Sequence, residues 1–239
     1  MIHVLVEVVR STSAEYSPYE FHKVVDGEDK IVGFDDFVVQ EIAKDIGVKV
    51  EYEDMDFDGL LGALQADKVD IVLAGMTPDE KRKKSVDFSE IYYTNSNVCI
   101  VAKGKEDSIK SSDDLKKLKV GVQKGSTQAD YVTNTLGITD ATQLKRIPDL
   151  MLELQNGKID VIVTGKAVAQ INVKKYDNIA IGKTTVGDEV AETAAAAIKK
   201  SSKNVDNTSF IKSVNDTIKR LQDSGDMDKY MEEALKLAE

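Results

Sequence analysis

The sequence predicts an α/β protein built as two similar lobes. Two observations carry that prediction: short β-branched runs alternate with helical stretches along the chain, and one helix-to-strand passage occurs twice. LQADKVDIVLAG (64–75) and LQNGKIDVIVTG (154–165) agree nearly position by position. Leu64, Gln65, Lys68, Asp70 and Gly75 return as Leu154, Gln155, Lys158, Asp160 and Gly165. Each copy ends a helix, turns, and sends an apolar strand to a C-terminal glycine, at the end where open α/β sheets bind ligands. A chance likeness between two helix–strand passages is the competing explanation; the spacing is too wide for a solenoid and suits two α/β lobes.

In order, VLVEVV (4–9) is expected as a strand, FVVQEIAKDIG (37–47) as a helix stopped by glycine, KVEYEDM as a strand and DGLLGALQAD as a helix. VDIVLAG follows as a short buried strand. The alternation resumes with DDLKKL (helix), KVGV (strand), a helix from Ser126, LKRI (strand), DLMLELQNG (helix) and IDVIV (strand). In the tail, Phe210, Ile211, Val214, Ile218 and Leu221 fall on one helical face that stops at Gly225, and MDKYMEEALKLA forms a last helix. The apolar segments NVCIVAKG (97–104) and AAAAIKK (194–200) are the candidates for two hinge strands. Lobe 1 is then residues 1–101 and 196–239, and lobe 2 is 102–195.

Composition narrows the function. With 32 Lys and Arg against 42 Asp and Glu, the net charge is −10, so no basic excess exists to neutralise nucleic-acid phosphates. The single cysteine, Cys99, lies in the apolar run VCIVA and is expected as a buried, inert thiol. Only two histidines occur, His3 and His22, with no metal-binding spacing, so no cofactor or metal is expected. The acid pairs Asp35/Asp36 and Asp113/Asp114 stand at helix starts, where capping is the usual role. No apolar run approaches the ~20 residues that span a bilayer, and no signal-like segment opens the chain. A cytoplasmic protein or a mature form lacking its signal are the two expectations.

Three stretches could hold a ligand. In AGMTPDEKRKKSVDFSE (74–90), Thr77-Pro78 suggests a helix start that places Arg82 about one turn in, near the end of the VDIVLAG strand. Its planar fork suits bidentate capture of a carboxylate, with the Thr77 hydroxyl completing the clamp; a surface arginine beside Lys81, Lys83 and Lys84 is the alternative. In VGVQKGSTQADY (120–131), Ser126 and Thr127 open a helix after a strand and a glycine, an arrangement that binds anions or simply caps the helix. The loop aromatics Tyr16, Tyr19 and Phe57 could wall a site or pack in the core.

At these residues the chain resembles the type II solute-binding proteins of polar amino acid ABC importers, the glutamine-, arginine- and histidine-binding group. The resemblance runs through TSAEYSPYEF, EIAKDIGVKVEYEDMDFDGLL, ALQADKVDIVLAGMT, EKRKKSVDFSE, VGVQKGST and SGDMDKY. It implies the type II periplasmic binding protein fold, a ligand held in the cleft between lobes, no catalysis, and delivery to the transmembrane subunits of an ABC permease. It also implies a monomer outside the cytoplasm, periplasmic or cell-surface-anchored, whose signal segment is absent here. Arg82 matches the arginine that pairs with the ligand carboxylate, Thr77 and Thr127 further donors to it, with Ser126 beside them, and Gly75 a carbonyl for the ligand ammonium. Tyr16 and Phe57 match aromatic walls, and Ser13 and Gln123 match positions that select the side chain.

Several positions depart from the group. Gly165 stands where the group has an acid for the ligand ammonium, Arg10 and Ser11 replace small or apolar residues, and Asp36-Phe37 reverses a common order. Ile91 replaces a proline, and TAAAA (193–197) replaces bulkier residues. The expectation is an enlarged pocket without its ammonium anchor, suited to a ligand lacking that group or to one whose cation is satisfied elsewhere. A dehydratase-like enzyme, or a repurposed or engineered binding protein on the same fold, is the alternative function; a receptor sensor domain has only the shared fold behind it.

Overall fold

The computed structural model describes residues 7–187, 191–201 and 206–239. The chain divides into two compact units. One comprises the chain up to Tyr93 together with Thr193–Ala238; the other comprises Thr94–Glu192 with Glu239. The first unit begins with β1 (Glu7–Thr12), an antiparallel trio β2 (Glu15–Tyr16), β3 (Glu20–Val25) and β4 (Glu28–Val32), then α1 (Phe34–Ile46) and β5 (Lys49–Asp54). It continues with α2 (Leu60–Gln65), β6 (Ile71–Val72) and β7 (Val86–Phe88), and β8 (Tyr93–Asn95) leads out. The second unit runs β9 (Asn97–Ala102), β10 (Val120–Gln123), α3 (Thr127–Asp130), β11 (Thr142–Leu144) and α4 (Ile147–Gln155). It then runs β12 (Val161–Gly165), α5 (Lys166–Lys175) and β13 (Ile179–Thr185). The chain returns through β14 (Glu192–Ala194), which pairs with β8, to β15 (Ala197–Lys199), α6 (Thr208–Ser224) and α7 (Asp226–Ala238).

The two main sheets have the same plan, β5-β1-β6-β15-β7 and β11-β10-β12-β9-β13. β1 and β10 are parallel to both neighbours, whereas β15 and β9 run antiparallel to theirs. The sequence repeat supplies the third strand of each sheet, β6 and β12. Its recurring aspartate has one job in both: Asp70 Oδ2 accepts the Val9 backbone N–H at 2.9 Å, and Asp160 Oδ2 accepts that of Lys119 at 2.8 Å. Each aspartate backbone N–H in turn donates to the neighbouring strand, at Val9 and Lys119. The aspartate thus fixes the register of a parallel pair, a charge-assisted link that glutamate would be too long to repeat unchanged. Leu64 and Leu154 seal the helix above that strand in the two cores, at 0% and 5% exposure.

Other elements follow local rules. Gly47 and Gly225 end α1 and α6 in the left-handed conformation, at φ 77° and 75°. Asp114 and Ser111 form a capping box on a 3-10 turn. Cys99 is fully buried, and burial pushes its thiol up to about 12.

Several expectations are corrected. NVCIVA is not a crossing segment: as β9 it lies inside the second sheet, bonded to β12 and β13 on its two sides. Within AAAAIKK, β15 belongs to the first sheet. The chain therefore crosses at β8 and β14, and the unit boundaries fall at 93/94 and 192/193, short of the expected 101/102 and 195/196. β1 continues to Thr12, and residues 4–6 of the expected strand, like His3, lie outside the described residues. The LKRI strand is shifted to Thr142–Leu144 because Arg146 is already the residue that opens α4. Asp35 and Asp36 occupy the first turn of α1 without capping it; Asp35 is fully buried and bonded elsewhere.

Candidate functional site

The ligand-facing candidates of the first unit gather at the C-terminal ends of β1 and β6. Arg82 does not sit on an α-helix, as Thr77-Pro78 suggested, but on a 3-10 turn (Arg82–Lys84). The reason is partly local and partly distant: the Asp79 carboxylate takes the Arg82 backbone N–H at 2.8 Å, and the Thr77 hydroxyl is engaged by Thr193, far along the chain. Arg82 is buried, at 8% exposure. Its Nη1 donates to the Thr77 carbonyl at 2.7 Å, its Nε lies 3.5 Å from Asp79 Oδ2, and its guanidinium carbon stands 5.4 Å from the Phe57 ring centre. A guanidinium held by a carbonyl, a carboxylate and an aromatic face loses little further rotamer freedom when it binds an anion.

Thr77 serves that arrangement differently from the expectation. Its hydroxyl donates to the Thr193 carbonyl at 2.9 Å and accepts the Thr193 backbone N–H at 3.1 Å, so it ties the loop to the returning strand β14. Gly75 follows β6 with φ +53°, and a Cβ there would lie 3.2 Å from Tyr16 Cε1 and 3.3 Å from Tyr19 Cγ. Glycine is required by both conformation and space. Tyr16 stacks on Tyr19 with ring centres 5.5 Å apart. Ser13 is buried in the turn between β1 and β2, and its carbonyl accepts the Glu15 N–H at 2.7 Å.

Arg10, noted in the sequence as a departure, and Asp35, expected as a helix cap, join Glu20 in a charged layer whose grouping motif reading passed over. Arg10, Glu20 and Asp35 are all 0% exposed. Arg10 Nη2 donates to the Leu73 carbonyl at 3.0 Å and to Thr12 Oγ1 at 3.1 Å. Asp35 Oδ2 accepts the Gly75 N–H at 2.7 Å and its Oδ1 the Tyr92 hydroxyl at 2.9 Å. Burial, and next the charge of Asp35, push the Glu20 carboxyl well above the usual range, while Arg10 opposes. Burial raises Asp35 as well, against Arg10 and its two donors. A lone Arg in an apolar strand was the available signal for this layer, and Arg10 thereby belongs to the scaffold.

In the second unit, Asn97, Gln123, Ser126, Thr127, Gln128, Thr164 and Glu192 are all buried. Ser126 caps α3: its Oγ accepts the Ala129 N–H at 3.0 Å and donates to the Gln123 carbonyl at 2.7 Å. Of the two readings of this stretch, the bonds present are those of a cap. Gln123 Nε2 donates to the Lys145 carbonyl at 3.1 Å, and Gln128 Nε2 to Asn97 Oδ1 at 2.7 Å. Thr127 Oγ1 lies 3.5 Å from Gln128 Oε1.

Gly165 ends β12 opposite Asn97 and precedes α5. A Cβ built on it would lie 1.7 Å from Glu192 Oε1 and 2.1 Å from Glu192 Cδ. The volume beside Gly165 is therefore filled by a carboxyl group from another strand, and the expected enlargement at this point is corrected. The TAAAA run does not open space either. Ala194–Ala197 are 0–1% exposed, and the carbonyls of Ala194 and Ala196 accept from Tyr92 and Ser89. Phe37, another departure, stacks on Tyr230 with centres 5.1 Å apart. Among the described residues no metal-binding group of His, Cys, Asp or Glu occurs, and no helix is long and apolar enough to cross a membrane.

Two mixed sheets of one plan, each carrying a polar group of buried side chains at its strand ends, define a solute-binding protein of the type II fold. Residues 8–236 match the family described as bacterial extracellular solute-binding proteins, family 3, and the chain belongs to that family. It is 36% identical over 228 residues to the arginine-binding extracellular protein ArtP of Bacillus subtilis (strain 168), covering 93% of this chain and 84% of that protein. A solved substrate-binding protein of an amino acid ABC transporter is 41% identical with TM-score 0.85, covering 97% of this chain and 100% of the other. The amino acid ABC transporter substrate-binding protein AbpA of Streptococcus pneumoniae Canada MDR_19A, bound to L-arginine, is 32% identical with TM-score 0.87. That match covers 97% of this chain and 95% of AbpA.

Proposed function

We propose that this protein captures a polar amino acid, with L-arginine the first candidate, and delivers it as a monomer to the transmembrane subunits of an ABC importer outside the cytoplasm. The single observation that carries the reading is Arg82, a nearly buried guanidinium fixed by the Thr77 carbonyl and stacked over Phe57, in a fold whose relatives bind amino acids. Arg82 receives the ligand carboxylate, and Gly75, Ser13, Tyr16 and Phe57 surround the ligand from the first unit; Thr77 acts through its carbonyl and its tie to Thr193. In the second unit the candidate ligand contacts are Gln123, Ser126, Thr127 and the backbone at Gly165. Ligand binding shifts the population toward a form that the permease recognises, driven by contacts that exist only in that form.

The test is isothermal titration of the purified chain with the twenty standard amino acids, together with mass spectrometry of small molecules released on denaturation. Binding of arginine, histidine or glutamine at micromolar Kd or tighter is expected; no heat with any amino acid overturns the reading. The dehydratase alternative is not favoured, because the relatives are binding proteins, and turnover of a cyclic carboxylic acid would reverse that judgement.

A further inference from the structure

We propose that His22 is a positioning residue for the ligand loop, acting through Asp54 so that protonation of its ring tightens binding; this rests on the amino-acid reading above. The turn after β1 carries Ser13 and leads to Tyr16, both buried. Its backbone is anchored at Ala14, whose N–H donates to Asp54 Oδ1 at 2.9 Å. The other oxygen of that carboxylate, Oδ2, lies 3.2 Å from His22 Nε2, and His22 Nδ1 lies 2.9 Å from Asp29 Oδ2. One acid thus joins a half-exposed imidazole to the main chain of the loop that holds two candidate ligand contacts.

The chemistry of the ring makes that join a switch. A neutral imidazole has one N–H and one lone pair and can donate to only one of two carboxylates; the imidazolium donates to both. A carboxylate oxygen at each ring nitrogen is the arrangement of the imidazolium. On deprotonation the longer bond, to Asp54, is the one given up, because the remaining proton stays at Nδ1 with the closer acid. A lone pair then faces Asp54 Oδ2, and the carboxylate that holds Ala14 is no longer fixed from its other side. The charged and titratable groups around the ring are Asp29 and Lys30 on β4, Asp36 on α1, and Tyr52 and Asp54 on β5. Lys30 is paired with Glu28 at 3.2 Å, and Asp36 accepts the Tyr52 hydroxyl. On β3 itself, Glu20 feels the charge of Asp54. By linkage, a ligand that binds the protonated form more tightly raises the His22 pKa when it binds. The gain is complete at low pH and is lost as pH rises through the folded pKa.

The experiment is titration calorimetry with L-arginine from about pH 5.5 to 8 on the full chain and on H22Q, D54N and H3Q, the last removing the only other histidine of the sequence. It is paired with NMR of the His22 imidazole and the Ala14 amide in the ligand-free protein. Wild-type affinity is expected to fall about fivefold across that range, with its midpoint at the His22 pKa. H3Q keeps the profile. H22Q, and D54N with an acceptor for Ala14 but no charge for the ring, bind with the weaker affinity at every pH. The Ala14 amide shift should follow the His22 titration in the wild type and stay constant in H22Q. A wild-type Kd constant within about twofold, or a slope that survives in a folded H22Q or D54N, overturns the assignment alone. A chain that binds no amino acid at any pH overturns the functional reading, and the Ala14 amide, read without ligand, then decides the coupling by itself.

Discussion

Asp35, in the first turn of α1, accepts the backbone N–H of Gly75 at 2.7 Å across 40 residues of sequence, and its second oxygen takes the Tyr92 hydroxyl at 2.9 Å. One carboxylate thus fixes the peptide at the end of β6 and the residue that precedes β8. The glycine that closes the first repeat is left-handed, at φ +53°, with its N–H held by Asp35 and with Tyr16 and Tyr19 packed where a side chain would stand.

Removing that carboxylate leaves two donors without their acceptor. Asp35→Ala is expected to lower stability by about 2–4 kcal/mol, read as a shift of the urea midpoint at unchanged slope. A midpoint shift under ~0.5 kcal/mol would show that Gly75 and Tyr92 find other partners at no cost.

Glu20 works in the opposite sense. Its carboxyl is fully buried and its pKa is raised well above the unfolded value by burial and by Asp35. A raised folded pKa favours folding below the unfolded pKa and loses that contribution as pH rises toward the folded one. Glu20→Gln, which keeps the shape and abandons the titration, is expected to be neutral at pH 4 and to raise Tm at pH 7 and above. Thermal melts at the two pH values decide it, and a variant less stable at pH 7 refutes the account.

His22 projects from β3 between two acids, with Nδ1 2.9 Å from Asp29 Oδ2 and Nε2 3.2 Å from Asp54 Oδ2. Desolvation lowers its pKa, but the bonds to Asp54 and Asp29 outweigh it and the net shift is upward. The contribution is therefore complete below about 6.5, the unfolded value, and disappears as pH rises through the folded pKa. His22→Gln should flatten the stability profile from pH 6 to 8, and a chemical-shift titration of the imidazole should give a midpoint above 6.5. A midpoint below it contradicts the geometry. The pair is half exposed, so the effect is small and should shrink in salt.

For Arg82→Ala, the expected result is loss of carboxylate-ligand affinity by at least about 100-fold. Arg82→Lys should recover only part, because a point charge cannot present the planar fork. Circular dichroism should remain that of the folded chain. Unchanged affinity in the alanine variant would remove Arg82 from the site.

Much of the fold was legible because it is written locally. Alternating runs placed α1, β5, α2, α4, α6 and α7 within a few residues, and Gly47 and Gly225 marked two helix ends by their conformational freedom. The repeat exposed two sheets of one plan, since the same aspartate must make the same bond in both. Less legible were β9 and β15: an apolar run looks alike in a hinge and in the middle of a sheet, and only its neighbours tell them apart. The turn at Arg82 was missed for a similar reason, because Thr77 is bound to Thr193, far along the chain.

The sequence by itself determined the α/β class, the duplicated plan, the family to which the chain belongs, and the identity of the arginine proposed to receive the ligand. These rest on periodicity, glycine positions and short contiguous motifs. What stands beside Gly165 was decided only by the tertiary structure. An absent carboxylate at 165 reads in sequence as an absent anchor, because sequence compares positions one at a time. Folding brings the end of β12 against β14, and there the carboxyl of Glu192 fills the volume that the glycine leaves open. Occupancy of that volume depends on the packing of two strands, and no single position records it.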